Sequence, residues 1–94
     1  MHVSEFQELI ARTFGERDAA RGVAASVAWL TEEVGELSRA LRKGTNDERR
    51  EEFADVMAWL VSLAHQTGVD LDAATRDRYG DGCPKCRSIP CRCD

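Results

Sequence analysis

Two short acidic stretches carry the residues best suited to chemistry. Glu32-Glu33-Val34-Gly35-Glu36-Leu37 is followed, with fifteen residues between Glu36 and Glu52, by Glu52-Phe53-Ala54-Asp55. On a helix, positions three apart lie on one side, so Glu33 with Glu36 and Glu52 with Asp55 each form a projecting pair. A polar break at Lys43-Gly44-Thr45-Asn46-Asp47 separates the stretches and can reverse the chain. In an antiparallel helical hairpin the two pairs face each other. Four converging carboxylates repel strongly unless a cation sits among them. All-oxygen ligation suits Mg²⁺ or Mn²⁺ better than Zn²⁺. The same spacing also serves a solvated acidic face, which is common on Glu-rich helices. Two details favour the cage: the acids sit inside apolar heptads, and from Glu32 no Lys or Arg occurs until Arg39.

A second cluster lies at the C-terminal end. Cys83, Cys86, Cys91 and Cys93 all fall in the last twelve residues, as CxxC followed by CxC. A disulfide framework spreads its cysteines through a small secreted fold, whereas clustering in a chain without a signal-peptide pattern argues for metal. Four thiolates this close can close a tetrahedral site, most naturally for structural Zn²⁺; disulfides or an iron–sulfur cluster are the alternatives.

The elements that must position these groups read as helices throughout. Val3, Phe6, Leu9, Ile10, Ala11 and Phe14 form one stripe, predicting a first helix over 3–14 that Gly15 ends. Residues 16–22 read as a charged connector into which either neighbouring helix can extend. Val23, Val27, Leu30, Val34, Leu37 and Leu41 alternate steps of four and three, an a/d seam on a second helix over 23–43. Gly35, between the acids, serves either close approach of a backbone or ligand, or helix packing. Gly44 is expected to close that helix in the left-handed conformation. Thr45 and Glu48 form a capping box for a third helix with Phe53, Val56, Met57, Leu60, Leu63 and Ala64 on its core face. Gly68 ends that helix, and Asp70 caps a fourth over Leu71–Tyr79. The expected fold class is all-α, a helical hairpin with flanking helices that dimerises into a four-helix-bundle core. It divides into a domain at 1–80 and a Cys-rich tail at 81–94.

These residues also carry a resemblance. Glu32-Glu33-x-x-Glu36 with Glu52-x-x-Asp55 looks like the EExxE…ExxD signature of the MazG-like nucleotide pyrophosphohydrolases. These belong to the all-α NTP pyrophosphatase superfamily, together with dimeric dUTPases and phosphoribosyl-ATP pyrophosphatases. Ser26-x-x-Trp29-Leu30 before the first acids and Asp55-Val56 entering an apolar helix extend the similarity to about residues 5–80. The resemblance implies hydrolysis of a nucleoside triphosphate to a monophosphate and pyrophosphate. Glu33, Glu36, Glu52 and Asp55 are then the expected Mg²⁺ or Mn²⁺ ligands, and Glu32 either supports those ligands from outside or is the catalytic base. Family members carry basic residues on the last helix, so Arg78, with Arg76 in reserve, is the expected phosphate contact. The family's longer basic run is abbreviated here, and two solvated arginines read equally well.

Other features narrow the classes. A net charge of −4 makes a nucleic-acid polymer a poor default partner. No apolar run reaches membrane-spanning length, so a cytoplasmic location and no membrane partner are expected. Trp29, Trp59, Phe6 and Phe14 read more readily as core than as a base-stacking platform. His65 makes no ExxH pair with any acid, which counts against a ferritin-like di-iron site. The expected assembly is a homodimer or a dimer of dimers. The alternatives are a phosphoribosyl-ATP pyrophosphatase-like enzyme, or a non-enzymatic dimerisation module that binds a partner through a zinc-knuckle tail.

Overall fold

Local sequence signals set most of the helix boundaries in the computed structural model, which describes residues 1–94. Thr45 accepts a hydrogen bond from the Glu48 backbone N–H at 3.1 Å and starts α3, Asn46–Gln66. The Glu48 carboxylate turns to the Thr45 hydroxyl, so the reciprocal half of the box does not form. Asp70 caps α4, Leu71–Tyr79, through the Ala73 N–H. At the end of α3, Gly68 has φ +76°. The N–H groups of Gly68 and Val69 donate to the His65 and Ala64 carbonyls. This closure needs a left-handed residue, and glycine supplies it without steric cost.

Two expectations fail at glycines. α1 runs Val3–Arg21, straight through Gly15. One helical glycine costs only about 1 kcal/mol relative to alanine, and tertiary contacts made by the last turns of the helix outweigh it. Gly44 ends α2, Val23–Lys43, with φ −91° and ψ 174°, an extended rather than left-handed cap. Its N–H still bonds the Ala40 carbonyl, and the chain passes directly into the extended Thr45 cap.

The four helices are the whole of the regular structure; there is no strand. α2 packs most extensively on α3, α1 lies mainly across α3, and α4 rests on α1. The ends of α2 and α3 meet crosswise. Gln66 near the end of α3 donates to Ser26 near the start of α2 at 3.1 Å. Arg49 near the start of α3 donates to the Ala40 carbonyl near the end of α2 at 3.0 Å. The Gln7 side chain, which the sequence patterns did not single out, ties α1 to the α3–α4 connection by bonding the Val69 carbonyl and the Leu71 N–H.

The buried centre is small and half polar. Ile10, Ala40 and Val61 are its apolar members; Asp18, Ser26 and Ser62 are equally enclosed. Ser62 donates to Asp18 at 2.5 Å, Gln66 donates to both Ser62 and Ser26, and Arg21 donates to Asp18 at 3.1 Å. This chain of bonds joins α1, α2 and α3, and it explains why α1 continues past Gly15. The predicted apolar faces are only partly covered. Val23, Val27, Val34 and Leu41 on α2, and Phe53 and Leu60 on α3, are each more than two-fifths exposed. The expectation that Phe53 and Leu60 face the core is therefore not met within one chain.

Replacing Asp18 by Ala strands a buried serine hydroxyl and a guanidinium, so Asp18→Ala is predicted to lower unfolding stability by about 2–3 kcal/mol. Ser62→Ala, which leaves the Asp18–Arg21 pair intact, costs about 1 kcal/mol. Urea denaturation checks both. Loss of less than about 0.5 kcal/mol from Asp18→Ala, the range of neutral surface changes, contradicts the role given to the network.

Candidate active site and metal centre

The register of α2 against α3 decides which acids meet. Glu33 and Glu36 leave α2 one turn apart, and Glu52 leaves α3 opposite them; one carboxylate oxygen from each lies within 4.8 Å of the others. Asp55, one turn further along α3, stands outside this closest set, but its charge acts on both Glu33 and Glu52. Glu32 lies beside the cluster on the exposed side of α2. Glu33 and Glu52 are half-buried, and their Oε2 atoms are enclosed with no hydrogen-bond partner.

No basic side chain neutralises the group. The ion pairs of the chain join Asp18 to Arg21, Asp72 to Arg76 and Asp81 to Arg87, and the Glu5 carboxylate lies 3.8 Å from the His2 ring. Arg49 lies close in sequence to Glu52, but its guanidinium is spent on the Ala40 and Leu41 carbonyls. The Glu33 carboxyl is consequently pushed up to about 7, first by burial, then by hydrogen bonding to Glu52 and by the charges of Glu36, Asp55 and Glu52. Burial and the charges of Glu36 and Asp55 also raise Glu52. Oxygen-only donors, close together, with two enclosed oxygens lacking any donor, fit a hard divalent cation.

Two openings flank the acids. A cavity of about 270 Å³ is bounded by Ile10, Phe14, Arg17, Arg21, Asp55 and Trp59, among others. Trp59 stacks on Trp29 with ring centres 5.9 Å apart and planes 6° from parallel. The Arg21 guanidinium lies 5.3 Å from the Trp59 ring and 6.0 Å from that of Trp29. Trp29 is 43% exposed, so the indole pair is only partly covered rather than core, and Trp59 alone of the two lines the cavity. On the other side, Arg39 and Lys43 border a groove with Glu36, Glu48 and Glu52.

Sequence reasoning missed Arg17, Arg21, Arg39 and Lys43. Arg39 and Lys43 were legible, because steps of three and four from Glu36 carry one helix stripe to both. Arg17 and Arg21 were not, because they required α1 to run through Gly15. The basic residues expected on α4 have neighbours within that helix. Arg76 pairs with Asp72 at 2.8 Å, and Arg78 lies 5.8 Å from the Tyr79 ring centre. At Gly35 a Cβ meets nothing within 4 Å, so no packing or backbone approach within this chain requires glycine there. Exposed His65 borders shallow clefts away from the acids. The four cysteines form a separate cluster with sulfur atoms mutually within 4.8 Å.

Comparison with known families gives one match. Residues 21–79, more than half of the chain, match the model of the MazG nucleotide pyrophosphohydrolase domain. The match takes in all five acids and stops at the end of α4, before the cysteines. No curated protein matches the chain.

The raised Glu33 carboxyl predicts how stability changes with pH. Its folded pKa of about 7 lies above its ordinary value of 4.5, so the folded state holds the proton more tightly. The associated stability is fully present below 4.5 and is lost as pH rises through 7. In metal-free buffer, the thermal midpoint is predicted to fall across this window and level off above it. Millimolar Mg²⁺ should flatten the fall by favouring the ionised carboxylates. Differential scanning calorimetry with and without Mg²⁺ checks both arms.

Proposed function

This chain belongs to the MazG nucleotide pyrophosphohydrolase family, and we propose that it hydrolyses nucleoside triphosphates, ribo or deoxy, to the monophosphate and pyrophosphate. The observation that carries the reading is the meeting of Glu33, Glu36 and Glu52 within 4.8 Å, with no basic partner. Glu33, Glu36 and Glu52, joined by Asp55, would hold Mg²⁺ or Mn²⁺. When bound, the ion neutralises charge on the phosphate oxygens and makes a water a stronger acid.

The remaining roles belong to side chains. Glu32, exposed beside the ligands, accepts the proton of the attacking water as its oxygen bonds to phosphorus and the bond between α- and β-phosphates breaks. The products are the nucleoside monophosphate and pyrophosphate. Arg39 and Lys43 supply positive charge along the groove bordered by Glu36 and Glu52. Arg78, which has no acidic partner, can add to it from α4, and Arg76 is the reserve. The cavity beside Asp55, walled by Phe14, Trp59 and Arg21, accepts the nucleoside end. Base preference would then be set by residues of α1.

The uncovered apolar faces support an assembly. We read α2 and α3 as an antiparallel hairpin whose outer faces pair with those of a second copy across a two-fold axis. Each half-exposed Leu, Val or Phe gains on the order of 1 kcal/mol from full cover, and six such residues on two helices favour a dimer or a dimer of dimers. The setting is cytoplasmic, where the free cysteines stay reduced.

Mg²⁺-dependent release of pyrophosphate from a panel of nucleoside triphosphates, with phosphoribosyl-ATP alongside, tests the reading. Glu36→Gln and Asp55→Asn are predicted to lower turnover at least a hundredfold while the helical circular dichroism is kept. Their metal-free stability should hold or rise, because each removes one of several mutually repelling charges. Wild-type turnover in either variant at saturating Mg²⁺ removes that residue from the ligand set. Sedimentation at micromolar concentration tests the assembly; an active monomer contradicts it.

A further inference from the structure

The nucleotide chemistry leaves residues 81–94 without a task, yet their backbone is tightly specified. Gly82 has φ +95°, and a Cβ there would stand 2.6 Å from the Ser88 carbonyl oxygen and 2.5 Å from Ile89. Only glycine fits. The Cys83 N–H donates to the Ser88 carbonyl at 3.1 Å, and the Arg87 N–H donates to the Cys83 carbonyl at 2.7 Å, with Arg87 at φ +57°. The loop Cys83-Pro84-Lys85-Cys86-Arg87-Ser88 is thereby closed on itself. The second pair is brought over it. The Arg92 N–H donates to the Cys86 sulfur at 3.3 Å, and the Cys93 N–H donates to the Cys91 sulfur at 3.4 Å.

No hydrophobic core holds this shape. None of residues 81–94 is fully buried, and Ile89 is 80% exposed. Their side-chain hydrogen bonds and their one ion pair stay within the segment. At its centre stand only four sulfur atoms, mutually within 4.8 Å, with Cys83 and Cys93 at 3.7 Å. A tetrahedron of Zn–S bonds of about 2.3 Å has edges of about 3.8 Å. Thiolates that ligate different irons of a cluster must stand further apart than this, and a disulfide needs about 2.05 Å. The spacing therefore selects one ion. Amide donors aimed at sulfur favour the thiolate form that such an ion needs.

We propose that Cys83, Cys86, Cys91 and Cys93 form a closed tetrahedral Zn²⁺ site that folds residues 81–94 into a self-contained knuckle at the end of α4. Four protein ligands fill the coordination shell, so the ion is structural and binds no substrate. Binding converts the thiols to thiolates and releases their protons to solvent. The site is independent of the nucleotide reading: it lies beyond the matched domain, and it uses none of the acids.

The full chain, purified under reducing conditions without chelator, is predicted to carry one Zn²⁺ and no iron by elemental analysis. The Co²⁺-exchanged protein should show the intense visible bands of a tetrahedral thiolate site. Cys86→Ser and Cys91→Ser should each lower Zn²⁺ content at least tenfold and open the segment to trypsin at Lys85, Arg87 and Arg92. In both variants the helical circular dichroism should be kept. Glu52→Gln, which alters the other candidate centre, should keep its Zn²⁺. Four freely titratable thiols without metal, stoichiometric iron with sulfide, or Zn²⁺ retained in both Cys variants would each overturn the proposal.

Discussion

Two enclosed carboxylate oxygens, Glu33 Oε2 and Glu52 Oε2, lack any hydrogen-bond donor. An enclosed carboxylate oxygen without a donor disfavours the ionised form, and this constraint governs the region around it. Without a cation, the raised Glu33 carboxyl, at about 7, lets a proton share the site up to neutral pH. A divalent ion relieves the constraint without that proton. The geometry that creates the conflict is held from both ends of α2 and α3. Gln66 bonds Ser26 at one end and Arg49 bonds the Ala40 carbonyl at the other. Arg49 is close enough in sequence to have neutralised Glu52, but it is committed to backbone oxygens. The repulsion is thus maintained by structure.

The same economy explains the small interior. A chain of this length buries little apolar surface alone, and here half of the fully buried residues are polar. The Asp18–Ser62–Gln66–Ser26 chain gives the helices a unique register where apolar packing is thin, as satisfied buried networks do. It also fixes the last turns of α1, which carry Arg17 and Arg21 to the cavity beside Asp55. The apolar residues left outside become useful in the proposed dimer. They lie on the helices that carry the acids, so assembly and catalysis would be coupled through α2 and α3.

Much of this was legible in the sequence. The a/d steps fixed α2, the Thr45 and Asp70 caps fixed the starts of α3 and α4, and spacing placed Glu33, Glu36 and Glu52 on facing sides. The errors have three separate physical origins. Glycine was read as a stop at Gly15 and as a left-handed cap at Gly44, but a lone glycine carries too small a penalty to override tertiary bonding. The first error hid Arg17 and Arg21. Apolar stripes were read as core, yet periodicity reports which face is apolar and not what covers it; Phe53 and Leu60 show the difference. The network through Ser62 was invisible, since serine and glutamine on helices carry no pattern that distinguishes a buried bond from a solvated one.

Glu33, Glu36 and Glu52 are expected to hold one hard divalent cation. Mn²⁺ binding, read from the loss of the free-ion electron paramagnetic resonance signal, tests it most directly. With a non-hydrolysable nucleoside triphosphate analogue present at fixed concentration, the protein should bind one Mn²⁺ per chain beyond that taken up by free nucleotide, and Mg²⁺ should displace it. Glu33→Gln and Glu52→Gln should each weaken that binding at least tenfold. Wild-type Mn²⁺ affinity in both variants would contradict it.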